Sequence, residues 1–338
     1  MLLTRANAGG GIIGCTTAYY LTRHPSFDPA LHQITLLEAT AIAAGASGKA
    51  GGLLGLWAYP ACLVPLSYRL HRELAAEHAG PDRWGYRRVG CGRLSAVVKT
   101  THLKPRPPQH QGSDATNGNG EPPPLPIQSA LPGKEEGGAK EEEGKSWEKL
   151  PKQDEKAAGL IQDSPLPSDL DWIDRGLVQD YGEMGEEGST ETSQVHPFHF
   201  TNAMADLARE RGVDIRVGAR VTRINHSKSE VRNVEYEDRG TSEIRTVDDV
   251  TDVIVTAGPW TGKLLPRSRV EGLRAHSVVF DAHVSPYAVF TDIQLPTDYV
   301  PEHRARLGQR RKHRGHVDPE IYARPGNEVY ACGKPRQD

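Results

Sequence analysis

The spacing of apolar residues along the chain predicts three helices. Residues 12–23, "IIGCTTAYYLTR", directly follow a glycine-rich stretch and have a helical composition. Two further segments place apolar residues three and four positions apart, on one side of a helix. They are residues 63–78, with Leu66, Leu70, Leu74 and Ala75, and the segment "VHPFHFTNAMADLARERG", with Phe200, Met204, Leu207 and Ala208.

Short apolar runs between these helices predict strands. "QITLLE" at 33–38 and "DVTDVIVTAG" indicate buried strands, and "VDIRVGARVTRINHSKSEVRNVEYED" indicates a short strand followed by a hairpin. After Lys263, short strands such as "HSVVF" and "YAVFTDI" alternate with polar loops. Strands alternating with helices indicate an α/β protein. The residues before Gly9 lack the Val, Ile and Leu of a buried parallel strand, so we expect a loop there.

The character of the chain changes between about residues 101 and 165. Prolines, glycines and runs of charge dominate, and Trp147 is the only aromatic residue. Such a segment buries too little apolar surface to offset the entropy of ordering it. We therefore expect a disordered insertion, whose charged runs are either a solvated linker or a docking site for a protein partner.

Composition and charge exclude several classes of protein. With 41 Lys and Arg against 44 Asp and Glu, the net charge is −3, which does not favour binding to nucleic acid. The longest apolar run, residues 53–66, contains two prolines and is shorter than the ~20 residues of a membrane span. No signal peptide is evident, and the four cysteines are scattered. These features predict reduced thiols, no metal centre and a cytoplasmic location.

The glycines at 9, 11 and 14 have the G-x-G-x-x-G spacing of a dinucleotide-binding loop. In such a loop the glycines allow a tight turn, close approach of a pyrophosphate and close packing of the helix on its strand. The helix N-terminus then offers N–H groups to the phosphates. Glu38 ends the next strand, where a carboxylate accepts hydrogen bonds from a ribose diol and disfavours a 2′-phosphate.

A second loop, "GASGKAGGLLG", narrows the choice of cofactor. It is not a phosphate-binding P-loop, because Ala43 and Ala50 stand where that motif needs glycine and Ser or Thr. An NAD-binding domain does not need this loop, whereas it resembles the E-x-n-A-S-G-x-x-G-G-(I/L) pattern of a family of flavoproteins. In that family the serine, here Ser47, binds the diphosphate.

The order of the motifs resembles FAD-dependent oxidoreductases of the D-amino acid oxidase and glycine oxidase type, and fungal FAD oxidoreductases most of all. The segments "VHPFHFTNAMADLARERGVDI", "ARVTRI", "VIVTAGPWTG" and "EIYARPGNEVYACG" add to it. The resemblance implies FAD as cofactor. It assigns FAD binding to Gly9, Gly11, Ile12, Ile13, Gly14, Glu38, Ser47, Gly48, Lys49, Gly51, Gly52, Leu53, Val221, Ala257, Gly258 and Trp260.

The resemblance also implies a fold. A Rossmann-like FAD-binding domain, residues 1–62 and 195–262, is interleaved with an antiparallel-sheet substrate domain and carries the disordered insertion. The substrate domain comprises residues 63–100, 166–194 and 263–338. Family members continue beyond position 338 with a further strand and helix, so we expect a shortened C-terminus in this chain. The segment "MLLTRANAG" departs from the family's first strand, so we also expect an altered N-terminus.

The implied chemistry is oxidation of a C–N bond in a small amine or amino acid, with hydride passing to flavin N5 and oxygen reoxidising the flavin. A substrate carboxylate is typically bound by arginine and tyrosine, and Arg324 and Tyr322 are the candidates in this sequence. The alternative is that Arg324 lies at a strand edge in solvent and has no contact with the substrate. His276 is a third candidate. His196 and His199 lack a third metal ligand. Two other functions stand beside this oxidase. One is a catalytically impaired protein of the flavoprotein fold that serves as a scaffold or regulator, for example in trafficking, and the other is an NAD-dependent dehydrogenase.

Overall fold

A computed structural model of the chain describes residues 3–102, 161–163, 165–184, 191–310 and 315–333. Most of the insertion predicted at 101–165 lies outside these residues. The predictions that it is disordered and recruits a protein partner therefore lie mostly outside the described residues. Residues 161–163, near its end, form a short strand and not a disordered segment.

The strands are β1 (Leu3–Ala8), β2 (His32–Glu38), β3 (Leu53–Gly55), β4 (Arg87–Arg88), β5 (Gly90–Val97), β6 (Ile161–Asp163), β7 (Val178–Met184), β8 (Thr192–Gln194), β9 (Asp214–Val217), β10 (Ala219–His226), β11 (Val231–Asp238), β12 (Ile244–Val247), β13 (Val250–Val255), β14 (Ser277–Asp281), β15 (Tyr287–Gln294), β16 (His316–Val317), β17 (Glu320–Arg324) and β18 (Glu328–Cys332). The α-helices are α1 (Ile12–Leu21), α2 (Ala46–Lys49), α3 (Val64–Glu77), α4 (Gly80–Trp84), α5 (Pro197–Arg209), α6 (Thr261–Leu264) and α7 (Glu302–Arg306). Short 3₁₀ helices cover Thr100–His102, Arg175–Leu177, Gly258–Trp260 and Pro266–Ser268.

A parallel sheet in the order β13-β1-β2-β9 forms the Rossmann-like part of the fold. Helices α1 and α5 pack together on it, and α5 buries the predicted stripe of Phe200, Met204, Leu207 and Ala208. Helix α1 ends two residues earlier than the pattern predicts. Thr22 caps it there, because its hydroxyl donates to the carbonyl oxygens of Ala18 and Tyr19.

The prediction of a loop before Gly9 is wrong, because residues 3–8 form the strand β1 between β13 and β2. Its polar residues are compensated by distant parts of the chain. Asn7 is buried and donates to the carbonyl oxygen of Gly14, and it accepts a hydrogen bond from Thr256 Oγ1. Arg5 forms an ion pair with Asp252 of β13.

A mixed sheet in the order β14-β18-β17-β15-β5-β7-β6 forms the second layer of the fold, with β16 added beside β15. Its pairings are antiparallel apart from the parallel pair β5–β15. The segment "EIYARPGNEVYACG", which resembles a hairpin of the family's substrate domain, forms the antiparallel pair β17 and β18. The mixed α/β architecture therefore agrees with the fold class that the resemblance implies.

Two small sheets complete the architecture. Strands β10, β11 and β12 form an antiparallel sheet whose cluster of buried residues includes Ala6 and Leu37 of the parallel sheet. Strand β8 lies between β3, which follows the glycine-rich loop, and β4, which directly precedes β5 of the larger sheet in the chain. In the part of the chain that the structure describes, no helix is long and apolar enough to cross a membrane.

Candidate functional site

The first glycine loop lies at the carboxyl end of β1, where β13 and α1 meet. Gly9 has a φ of +127°, and a Cβ there would lie 2.4 Å from the carbonyl oxygen of Thr256. A Cβ at Gly14 would lie 1.9 Å from the carbonyl oxygen of Gly9. Neither position has room for a side chain, so the spacing of these glycines is a requirement of the close helix–strand packing.

Glu38 lies at the end of β2, facing this loop. Its Oε2 accepts a hydrogen bond of 2.8 Å from the backbone N–H of Gly10, and Oε1 accepts one of 2.9 Å from Thr40. The Thr40 hydroxyl also donates to Oε1, so the half-buried carboxylate is fixed in orientation by three hydrogen bonds. It therefore occupies the position from which the sequence predicts a ribose contact.

Ser47, in the short helix α2, lies directly at the N-terminus of α1. Its Oγ accepts a hydrogen bond of 2.9 Å from the N–H of Ile12, and a Cβ at Gly11 would come within 3.0 Å of that oxygen. Because the oxygen acts as acceptor toward Ile12, its hydroxyl proton is available for an anion. Trp260 lies against the start of α2, with its Cζ3 3.7 Å from a Cβ built at Gly45.

The remaining predicted residues flank these two loops. Ala257 and Gly258 follow β13, and a Cβ at Gly258 would meet no described atom within 4 Å. Val221 packs in the cluster that holds Leu37, one residue before Glu38. A Cβ at Gly48 would lie 2.2 Å from the carbonyl oxygen of Ala43. The side chains of Ile13, Lys49 and Trp260 are exposed.

Gly51, Gly52 and Leu53 bring the second glycine loop against the large sheet. A Cβ at Gly51 would lie 2.3 Å from Cδ2 of Tyr322, so the backbone of the loop lies on the tyrosine ring. Gly52 has a φ of +77° and its carbonyl oxygen accepts from the N–H of Val195. Leu53 then pairs with Gln194 in β8.

The sheet face under this loop combines aromatic rings with a carboxylate. Trp57 and Phe290 make a T-shaped contact at 5.7 Å between centroids, and Phe290 makes another with Tyr322 at 6.0 Å. The Tyr322 hydroxyl donates to Glu320 Oε2. Burial, together with the Glu320 carboxylate, holds the pKa of Tyr322 well above its usual range, so the phenol stays protonated.

Arg324 lies on the same face of β17 and is buried among three partners. Its Nη2 lies 2.8 Å from Glu328 Oε2 and donates to His196 Nε2 at 3.0 Å, while Nη1 donates to the carbonyl oxygen of Ala50. Burial and the Arg324 charge lower the pKa of His196 to about 4, so this histidine is neutral near pH 7. The structure thus places Arg324 in an ion pair beside the loop.

Other predicted residues lie apart from this arrangement. His276 is exposed in the segment before β14. The rings of His196 and His199 are adjacent, 4.2 Å between centroids, but among the described residues no group of three or more His, Cys, Asp or Glu side chains is placed to hold a metal. The four cysteines are free thiols.

Sequence reasoning missed several residues that shape the site. Arg87 and Gln194 form hydrogen bonds between the loop and the large sheet, and Glu320 supplies the carboxylate beside Tyr322. Alternation along β17 was the available signal for Glu320, because residues 320, 322 and 324 share one face of a strand. No local pattern marks Arg87 or Gln194.

The donors and clearances of the two loops fit a dinucleotide. The Ser47 hydroxyl and the N-terminus of α1 converge on one point, the place where an anion is favoured. The Glu38 carboxylate lies at the end of the neighbouring strand, and the space beyond Gly258 is open. These are the features that a diphosphate and its ribose require.

Comparison with known protein families identifies this combination of motifs. Residues 8–117 and 138–331 match the family described as FAD dependent oxidoreductase. The chain belongs to this family. As an FAD-dependent oxidoreductase, it uses FAD as its cofactor.

Two fungal relatives of this FAD-dependent oxidoreductase extend the match along the chain. TDA3 of Saccharomyces cerevisiae is 33% identical over 96% of this chain and 72% of its own length. C1F5.03c of Schizosaccharomyces pombe is 28% identical over 96% of this chain and 69% of its own length. The expected similarity to fungal oxidoreductases is confirmed.

Solved structures show the same fold at lower sequence identity. The glycine oxidase of Bacillus cereus has a TM-score of 0.57 and 17% identity, covering 99% of this chain and 72% of that one. The L-amino acid deaminase of Proteus myxofaciens has a TM-score of 0.52 and 15% identity, covering 98% of this chain and 58% of that one. The architecture of the FAD-dependent oxidoreductase is thus that of the glycine oxidase fold.

Proposed function

We propose that this FAD-dependent oxidoreductase oxidises a C–N bond of a small amine or amino acid. FAD supplies the two-electron acceptor for a hydride from the carbon that carries the nitrogen. The substrate becomes an imine, which water hydrolyses to a carbonyl compound and an amine or ammonia. The residues of the chain hold the substrate against the cofactor and shield it from bulk water.

The observation that carries this proposal is the contact between Gly51 and Tyr322. The glycine loop assigned to the flavin lies directly on a sheet face that carries Tyr322, Phe290 and Glu320. Trp57, in the turn after β3, packs against Phe290 of this face. Aromatic rings next to a carboxylate favour a substrate that is apolar with a basic nitrogen. The fold shared with a glycine oxidase and an L-amino acid deaminase supports the same substrate class.

Within this proposal each loop has a separate task. Ser47 and the N-terminus of α1 hold the diphosphate, and Glu38 holds the adenosine ribose. Gly51, Gly52 and Leu53 lie along the flavin ring, and Tyr322 and Glu320 face the substrate. Because the Tyr322 phenol keeps its proton and donates it in a hydrogen bond to Glu320, it does not act as a base.

We also propose a division of labour along the chain. Residues 1–62 and 195–262 bind FAD, and residues 63–100, 166–194 and 263–338 bind the substrate. The parallel sheet falls in the first group and nearly all of the mixed sheet in the second, which supports this division. The cytoplasmic location stays a prediction, which fractionation of cells would check.

The test is the visible spectrum of the purified protein with FAD in the absence of oxygen. We expect a bound-flavin spectrum that bleaches on addition of an amine or amino acid, and a carbonyl product in equal amount. A flavin that stays oxidised with every amine and amino acid in a broad panel would contradict the proposal and support the scaffold alternative. Bleaching by NADH alone would also contradict it.

A further inference from the structure

Two neighbouring strands of the large sheet set a carboxylate among aromatic rings. Glu320 of β17 lies opposite Phe290 of β15 in the register of the sheet, so the two side chains share one face. The ring of Phe290 lies 6.0 Å from that of Tyr322, and the Tyr322 hydroxyl donates to Glu320 Oε2. Trp57 makes a T-shaped contact with Phe290 at 5.7 Å. The carboxylate thus lies beside a chain of three rings that contact one another.

This group is open to a ligand. Glu320, Phe290 and Trp57 are each half-buried, whereas Tyr322 is buried against the glycine loop at Gly51. The Tyr322 hydroxyl occupies one acceptor position of the carboxylate, which has about four. Glu320 therefore has the capacity to accept from a donor that arrives on the open side of the sheet.

The arginines on this face of the sheet lie beside other carboxylates. Arg93, on β5, lies 4.0 Å from Asp292, and Arg324 lies 2.8 Å from Glu328. Glu320 is an additional carboxylate on the same face. Ring faces next to a carboxylate attract an organic cation, because the electron-rich rings and the negative charge both favour it. The chemistry of the face is therefore that of a site for an ammonium group.

A nitrogen held by this carboxylate is not the nitrogen that is oxidised. Loss of a hydride from a C–H bond needs the lone pair of the adjacent nitrogen, which becomes the second bond of the C=N group. An ammonium has no such lone pair, and a neighbouring carboxylate favours the ammonium over the neutral amine. A substrate that is held by Glu320 and oxidised therefore carries two nitrogens, one protonated at Glu320 and one neutral beside the carbon that loses hydride.

We propose that Glu320, together with the rings of Phe290 and Trp57, binds a protonated nitrogen of the substrate, and that the substrate is a diamine. The inference rests on the proposed function and narrows its substrates to amines with a second, cationic nitrogen. A C–H bond next to the neutral nitrogen breaks, its hydride passes to FAD, and the nitrogen lone pair closes the C=N bond of an iminium ion. Water hydrolyses the iminium ion of a primary amine to an aldehyde and ammonium, and the nitrogen at Glu320 is unchanged.

The first test measures binding without turnover. tert-Butylammonium carries the charge but has no hydrogen on the carbon next to nitrogen, so it cannot be oxidised, and tert-butanol is its neutral counterpart. Calorimetric titration of the FAD-loaded protein should show saturable binding of tert-butylammonium and far weaker binding of tert-butanol. Glu320→Gln should weaken tert-butylammonium binding at least about tenfold, because a charge-assisted hydrogen bond is lost. Phe290→Leu removes the ring face and should cost about threefold, even if Glu320→Gln fails to fold.

Glu183→Gln is the matched control. Glu183 is an exposed residue of β7 in the same sheet, and its neighbour Met184 packs in the cluster that contains Tyr322. Because successive residues of a strand point to opposite faces, Glu183 lies on the other face of the sheet. Its substitution removes the same charge and should leave tert-butylammonium binding unchanged. Absence of saturable binding to wild type, equal binding in wild type and both site variants, or an equal fall in Glu183→Gln overturns the proposal.

Turnover separates this inference from its foundation. Short α,ω-diamines are each compared with the n-alkylamine of the same length, for example 1,4-diaminobutane with pentylamine. Over this series kcat/KM should be higher for diamines, and Glu320→Gln should lower it at least about tenfold for the preferred diamine while leaving that for its alkylamine unchanged. Oxidation of alkylamines as fast as of every diamine leaves the proposed function standing and overturns the inference.

A further outcome tests the role of Glu320. A fall of kcat/KM for both kinds of amine in Glu320→Gln, with unaltered tert-butylammonium binding, overturns the inference, because Glu320 would then act as a base on the nitrogen that is oxidised. If no amine bleaches the flavin, the proposed function fails, and the tert-butylammonium titration still decides whether Glu320 binds a cation.

Discussion

Arg324 Nη2 lies 2.8 Å from Glu328 Oε2, across the turn that joins β17 and β18. The two residues are register neighbours in the hairpin. The arginine side chain is 5% exposed and the glutamate 36%. The guanidinium therefore depends on this carboxylate, at the rim of the hairpin, for its charge compensation. Its other described partners, His196 and the carbonyl oxygen of Ala50, are neutral.

Glu328→Gln should destabilise the protein by about 2–3 kcal/mol, because it leaves a buried guanidinium without its counter-charge. The expected loss is below that for a fully buried pair, since the glutamate is partly solvated. Denaturant unfolding of the FAD-loaded protein measures it.

The matched control is Glu302→Gln, in the ion pair between Glu302 and Arg306 of α7. Both side chains of that pair are more than half exposed. An exposed pair contributes little, so we expect a change below about 0.5 kcal/mol. Equal effects of the two substitutions would show that burial of Arg324 is of no consequence for stability.

Ser47→Ala should weaken FAD binding about tenfold, since the variant loses the hydroxyl that lies at the N-terminus of α1. The dissociation constant of FAD, followed by flavin fluorescence, measures this. Ser229, which is exposed in the β10–β11 turn, provides the control. Unchanged FAD affinity in Ser47→Ala would contradict the assignment of this serine to the diphosphate.

Asn7→Val should destabilise the protein by about 1–2 kcal/mol, although valine has the higher preference for strands. The amide of Asn7 donates to the carbonyl oxygen of Gly14 at 2.8 Å in a buried position, and valine would leave that oxygen without this partner. Urea unfolding of the two proteins gives the difference. A more stable valine variant would mean that the hydrogen bond contributes nothing net.

The same residue marks the limit of prediction from this sequence. The buried strand β2 and the helix α5 follow from local periodicity, and the glycine spacing located the first loop. The hairpin β17–β18 was implied by the family resemblance of its segment. Strand β1 did not follow, because Arg5 and Asn7 are compensated by Asp252 and Thr256, almost 250 positions away in the chain. Arg87 was missed for the same reason, since its partner Ala323 lies 236 positions along the chain.

His71 connects the stability of the α3–α5 packing to pH. Its ring lies 4.7 Å from that of Phe200 in α5, and its buried Nδ1 has no hydrogen-bond partner among the described residues. Burial lowers the pKa of His71 from 6.5 to about 4. The folded state therefore disfavours the protonated ring, and the stability present above pH 6.5 is lost as the pH falls toward 4.

Between pH 7 and pH 5 this single group should lower the free energy of unfolding by about 2 kcal/mol. His71→Leu keeps an apolar side chain against Phe200 and cannot be protonated, so its stability should fall by about 2 kcal/mol less over the same interval. His226, on the exposed end of β10, provides the control, because His226→Gln should leave the pH dependence as in wild type. Denaturant unfolding at the two pH values measures all three proteins. The same pH dependence in wild type and His71→Leu would assign the acid sensitivity to other groups, of which His196 is the first to examine, because its pKa is also lowered to about 4.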